Sequence, residues 1–187
     1  MIATPALRDT PGGELAAWTH MWMVAASLTL EHLEDSWVDA EPASSIGGRD
    51  ALSLVVIDAV RNVYRGAKAT LPRDSPALAR FDGAHPQLVR IRDFFEHFDE
   101  YVAGRGRIQQ KAGTPADEGI GMQWKRSASG GPSGHTMVIA VREGGERAEY
   151  EVNATLAVKA AQMLARAVLE HAGLLDARHV GACRYCR

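Results

Sequence analysis

The chain has 187 residues, of which 46% are hydrophobic and 24% charged, with a formal net charge of −2. That length can bury a core without disulfides or metals. The near-neutral balance excludes a general electrostatic attraction to nucleic acid or anionic lipid, so any such binding needs a local patch. The longest apolar run, Met21 to Leu30, is too short to span a bilayer, and no membrane partner is expected.

The first thirteen residues, "MIATPALRDTPGG", read as an irregular leader. They lack a basic stretch followed by an apolar block, so no signal peptide is expected. The only cysteines are Cys183 and Cys186, a scarcity that fits a reducing, cytoplasmic compartment.

A long helix is predicted from about Glu14 to Trp37. Leu15, Trp18, Trp22, Ala25 and Thr29 recur at steps of three and four. Its other face (Met21, Met23, Val24, Leu28) is also apolar, which predicts a much-buried helix. A loop is predicted at 39–48. A second helix then runs from Arg49–Asp50 to Arg65 on Leu52, Val55, Val56, Ala59, Val60 and Val63, with Gly66 as its stop. Ser75 and Pro76 open a short helix through Phe81. Pro86 opens a third long helix, ending at Gly104, with Leu88, Ile91, Phe95, Phe98 and Val102 as its buried stripe.

After Gly104 the period changes. Strands are predicted at 120–126, 136–142 and 147–152, the last two joined through Gly144–Gly145. Asn153 caps a final helix, 154–171, with Leu156, Ala160, Met163 and Ala167 inward and Gly173 as its stop. The fold class is therefore mainly α (α+β). A bundle of three or four long helices carries a small antiparallel sheet before the C-terminal helix. The reading is of a single domain over 1–187, with the bundle at 14–104, the sheet at 118–152, the last helix at 153–173 and a tail at 174–187.

The densest chemistry lies in "RDFFEHFDE", Arg92 to Glu100. At about 100° per residue, Arg92 lies roughly 90° and His97 roughly 130° from the stripe centre. Two i,i+4 pairs follow, Arg92 with Glu96 and Asp93 with His97. The plain account is a solvated helix face, each pair worth a few tenths of a kcal/mol.

Arg92 and His97, five positions apart on a helix of an all-α segment, resemble the RxxxxH signature of the HEPN superfamily of nucleotide-binding helical domains. The resemblance implies a protein that binds or cleaves RNA, without metal or other cofactor, at a site shared across a homodimer. His97 would exchange a proton with the ribose 2′-OH or the leaving oxygen, since an imidazole titrates near neutrality. Arg92 would stabilise the phosphorane, and Asp93 would orient His97. The surrounding acids repel a polyanion unless Arg90, Arg105, Arg107 or a partner subunit offset them. Arg90, Glu96, Tyr101, Arg105 and Arg107 are therefore the expected binding residues.

Two other readings belong to different classes. In one, the third helix and its aromatic flank, Phe94 and Tyr101, form an assembly surface for a protein partner. In the other, His32 faces inward as a core residue or, with nearby carboxylates, as a ligand of a small molecule or metal. "CRYC", 183–186, is a Cys-x-x-Cys pair without two further ligands and reads as an unstructured tail. "GRGR", 104–107, reads as a helix stop and linker. Trp18, Trp22 and Trp37 read as core.

Overall fold

The computed structural model describes residues 11–35, 46–107, 110, 120–126, 134–143, 146–175 and 183–185. Among them run helices α1 (Pro11–Asp35), α2 (Ile46–Thr70), α3 (Pro76–Ala84), α4 (Leu88–Glu96) and α5 (Phe98–Val102). Strands β1 (Ile120–Arg126), β2 (His135–Glu143) and β3 (Glu146–Asn153) follow, then α6 (Ala154–His171). The mainly helical class, with a small antiparallel sheet before the last helix, is the expected one. Trp37, His179, Cys186 and the Gly144–Gly145 turn lie outside the described residues.

The chain divides into two compact units, Met1–His85 with Leu156–Arg187, and Pro86–Thr155. The boundary at 85/86 falls inside the segment 14–104 that sequence reading groups into one bundle.

In the first unit α1 and α2 lie against each other. α1 buries Ala16, Thr19, Met23, Ala26, Leu30 and Leu33, and α2 buries Ser53, Val56, Val60, Val63 and Ala67. Both stripes step by three and four, the spacing that keeps two helices in register. On α1 this stripe lies one residue past the predicted one. α1 is apolar nearly all round, so its sequence does not fix which side faces inward. Small Ala16, Thr19 and Ala26 alternate there with the larger Met23, Leu30 and Leu33. Trp18 and Trp22 are only half-buried beside it, their rings edge to face at 5.9 Å. His32 is exposed, and Leu33 takes the inward position.

Gly66 does not stop α2, which continues to Thr70. A Cβ at Gly66 would overlap the Thr19 hydroxyl, which donates to the Leu15 carbonyl at 2.7 Å. The glycine is there for the helix crossing.

The predicted face of α6 is also displaced. Ala157, Val158, Ala161, Leu164, Ala165 and Val168 are buried, whereas Met163 is 66% exposed. An alanine-rich face again carries the packing. Gln162 donates to Ser27 Oγ at 3.0 Å, tying α6 to α1. α6 ends as predicted at Gly173, whose φ is 67°. Leu174 N–H reaches Leu169 O at 2.8 Å and Gly173 N–H reaches Glu170 O at 3.1 Å, the two bonds of a Schellman cap.

At the α2–α3 corner Tyr64 stacks on Phe81, with centroids 5.2 Å apart, and Phe81 meets His85. Burial, with the Asp82 carboxylate beside it, pushes the Tyr64 phenol up to about 12, so it stays a neutral donor. Burial pushes the His85 imidazole below its ordinary value of 6.5, against a smaller opposing effect of its backbone hydrogen bond with Leu156.

In the second unit the sheet runs in the order β1-β2-β3, antiparallel throughout. Met137, Ile139 and Val141 of β2 stand opposite Val152, Tyr150 and Ala148 of β3. β3 is an edge, and α4 packs against it near Tyr150. Gln87 Oε1 accepts the Glu151 N–H at 2.6 Å, and Arg90 donates to the Tyr150 hydroxyl at 2.9 Å.

Two predictions follow from this packing. Gly66→Ala should destabilise the protein by roughly 1–3 kcal/mol through overpacking. A lowered urea midpoint would show it, and adding Thr19→Ala should recover part of the loss. The second prediction is a pH dependence. Because His85 binds its proton more weakly folded than unfolded, its contribution is fully present above 6.5. It is lost as pH falls from there through the lower folded value. The urea midpoint should therefore drop from neutral to mildly acidic pH, with a shallower drop in His85→Gln.

Candidate functional site

The third long helix of the prediction is two helices. α4 ends at Glu96 and α5 begins at Phe98, with His97 between them at φ −118°, ψ 29°. The residues buried are Leu88, Ile91, Phe94 and Tyr101. Phe95 is only partly covered, and the side chains of Phe98 and Val102 are outside the described ones.

An aromatic cluster accounts for the break. Phe94 meets Tyr150 of β3 at 5.0 Å and Tyr101 at 4.9 Å, the latter edge to face at 87°. In a straight helix, residues seven apart are about 10.5 Å apart along the axis. The turn at His97 lets the two rings meet. Edge-to-face aromatic pairs contribute about 0.5–1.5 kcal/mol beyond area burial. Phe94 and Tyr101 are thus interior residues, 0% and 1% exposed, not the assembly surface expected of them. Tyr101, expected as a binding residue, is buried and lines a cleft from its inner side.

The chain then turns back. Gly104, at φ 68°, closes α5 with Arg105 N–H to Glu100 O at 2.8 Å and Gly104 N–H to Tyr101 O at 3.1 Å. This is a second Schellman cap, on the glycine that the sequence marks as a stop. Gly106 next passes over the Tyr101 ring so closely that a Cβ there would overlap it. That crossing carries Arg107 to Asp93, Nη2 to Oδ2 at 3.9 Å.

The result is a cleft of about 270 Å³ lined by Asp93, His97, Glu100, Tyr101 and Arg107. His97 is 49% exposed, and its Nδ1 lies 3.5 Å from Glu100 Oε1. Arg107 is 77% exposed. Arg92 is not among the lining residues. It is paired with Glu96, as the i,i+4 spacing predicts. The predicted Asp93–His97 pair is replaced: Asp93 faces Arg107, and His97 faces Glu100. A regular helix would have held the first pairing, and the break at His97 rotates the imidazole away from it. Arg90 serves the fold, its guanidinium 5.2 Å above the Tyr150 ring. Arg105 is exposed outside the cleft lining.

The arrangement suits proton transfer. A carboxylate at Nδ1 holds an imidazole with Nε2 outward, where it can take or give a proton. A guanidinium at the same mouth suits an oxyanion. Sequence reasoning missed the pairing of His97 with Glu100 and of Asp93 with Arg107. The only hint was the Gly104–Gly106 spacing, which brings the chain back.

Away from this cleft, the tail is placed against α1. Cys183 Sγ lies 3.3 Å from His20 Nε2, and Arg184 reaches Glu31 at 2.5 Å. The expected unstructured tail is thus ordered at 183–185. Among the described residues no three of His, Cys, Asp and Glu converge as metal ligands, and His32, being exposed, has no inward site. Also among them, no helix is long and apolar enough to cross a membrane. No protein-family model, curated protein or solved structure matches the chain.

Gly106→Ala should push the returning segment off Tyr101 and separate Arg107 from Asp93. We expect a lowered urea midpoint and altered tyrosine fluorescence. An unchanged midpoint would mean that the crossing does not hold the cleft.

Proposed function

We propose that the chain binds RNA and cleaves it without metal, with His97 as the proton-transfer group. One observation carries the reading: His97, oriented by Glu100, opens into the same cleft as Arg107. The resemblance to RxxxxH helical domains supplies the substrate class. It does not supply the cation, because Arg92 is committed to Glu96. The phosphate-facing guanidinium in this reading is Arg107, whose contact with Asp93 at 3.9 Å is loose enough to exchange for a phosphate oxygen.

The chemistry is transfer to the neighbouring hydroxyl. Nε2 of His97 accepts the 2′-OH proton as that oxygen attacks phosphorus. Arg107 stabilises the charge that develops on the phosphorane. The 5′-oxygen of the next nucleotide leaves with a proton, giving a 2′,3′-cyclic phosphate. One imidazole serves as base, and the leaving oxygen needs an acid. A second copy of the chain supplies it through its own His97, which is why the proposal includes a homodimer. The second copy's Arg107 also offsets Asp93 and Glu100, which alone would repel the strand. The compartment in this reading is the cytoplasm.

The test is RNA cleavage in EDTA by wild type, His97→Ala, Arg107→Ala and Arg92→Ala, each checked for folding and for mass in solution. His97→Ala should lose roughly 10²–10⁴-fold. Arg107→Ala should lose about 10²–10³-fold, and Arg92→Ala far less. Cleavage that persists in folded His97→Ala sinks the catalytic assignment. RNA binding without cleavage, weakened in Arg107→Ala, would leave a binding domain.

A further inference from the structure

We propose that the outward face of α1 is a homodimer seam, on which a second copy of the chain lays its own α1 antiparallel. The proposal concerns the first unit alone and stands apart from the RNA reading.

α1 carries two apolar lines. One, from Ala16 to Leu33, faces α2. The other is Ala17, Met21, Val24 and Leu28, also at steps of four and three. At about 100° per residue it lies on the opposite side of the helix. Met21 is 62% and Leu28 42% exposed, and Ala17 and Val24 are only partly covered. Trp18 and Ala25, also partly covered, flank this line on one side. Single exposed apolar residues are ordinary. A continuous stripe with this period is the surface that a second helix packs against.

The stripe fits itself. With a two-fold axis between Trp22 and Met23, Ala17 stands level with the partner's Leu28, and Met21 with the partner's Val24. Small meets large at the outer levels, and Trp18 lies near the partner's Ala25. Symmetry repeats each contact, so four side chains fill four levels. A second copy carries the matching order of residues on its own α1.

Charge sets the direction. The line continues as Glu14 at one end and Glu31 at the other, and α1 holds no lysine or arginine. A parallel pair would set Glu14 against Glu14 with no cation on either helix. In antiparallel order Glu14 meets the partner's Glu31. In each chain Glu31 is bonded by Arg184 at 2.5 Å and by the Tyr185 hydroxyl at 3.1 Å. Arg184 is 63% exposed, and its planar fork has donors for a second carboxylate. Glu14 is that carboxylate, so a guanidinium joins the two acids at each end of the seam.

Sedimentation equilibrium of the full chain over a concentration series reads the mass. Wild type should be a dimer that dissociates on dilution. Met21→Glu and Leu28→Glu should each raise the dissociation constant at least about tenfold, since a carboxylate in an apolar seam loses its hydration. Both positions are exposed in the single chain, so the urea midpoint should hold; Met21→Gln and Leu28→Gln replace them if it does not. Val55→Glu, at an exposed position of α2, should leave the mass unchanged. Direction is read by mixing Ala17→Cys with Leu28→Cys, both without the native cysteines, under mild oxidation. The mixed disulfide should dominate, because two copies of position 28 lie about 16 Å apart along an antiparallel pair. A wild type that is monomeric throughout overturns the proposal. So does a dimer that neither α1 substitution weakens, or one that Val55→Glu disrupts equally. A Leu28→Cys homodisulfide that forms in preference overturns the antiparallel order. Mass is the readout, so the outcome does not depend on whether RNA is cleaved.

Discussion

The burial of Phe94 between Tyr150 and Tyr101 governs the second unit. Both tyrosines must reach one phenylalanine, one from the sheet and one from further along the same segment. A continuous helix cannot bring Tyr101 close enough. The helix breaks at His97, the shorter α5 closes on Gly104, and the returning chain lies across Tyr101 at Gly106. The cleft follows from this sequence of events. His97 becomes accessible because it is the residue at the break. Arg107 reaches Asp93 because the return path is fixed by the ring it crosses.

The first unit obeys a different constraint. Its seam mixes small side chains with Met23, Leu33 and the valines of α2, and a glycine lies where α2 meets Thr19. Close approach multiplies dispersion contacts along two long helices. It also leaves no room for Trp18 and Trp22, which cover the flank instead. The alanine face of α6 continues the same solution, with Gln162 and Ser27 satisfying each other across it. Polar residues in this interior are satisfied locally: Ser27 Oγ also bonds the Met23 carbonyl at 2.9 Å, and Asn62 bonds Asp58 at 3.1 Å.

Charge is met in two ways. In the first, Tyr64 remains neutral and His85 resists protonation, because burial disfavours their charged forms. In the second, charge is kept at the surface and paired: Arg92 with Glu96, Arg107 with Asp93, His97 with Glu100. Such exposed pairs contribute little stability. Their consequence is positional, since each pair settles which cation is left near the imidazole.

The sequence by itself determined the kind and order of the elements. Period distinguishes helix from strand, and glycines at 104 and 173 end their helices because only glycine takes that backbone turn without cost. It determined the Arg92–Glu96 pair, a matter of local spacing. It did not determine which face of α1 or α6 turns inward, because both are apolar on more than one side and the choice belongs to the partner helix. Nor did it determine the break at His97. Phe94, Phe95, Phe98 and Tyr101 all favour burial, and only Tyr150, fifty residues on from that segment, selects among them. The meetings of His97 with Glu100, of Arg107 with Asp93 and of Cys183 with His20 were decided in tertiary structure alone, since each depends on a chain path rather than on a local period.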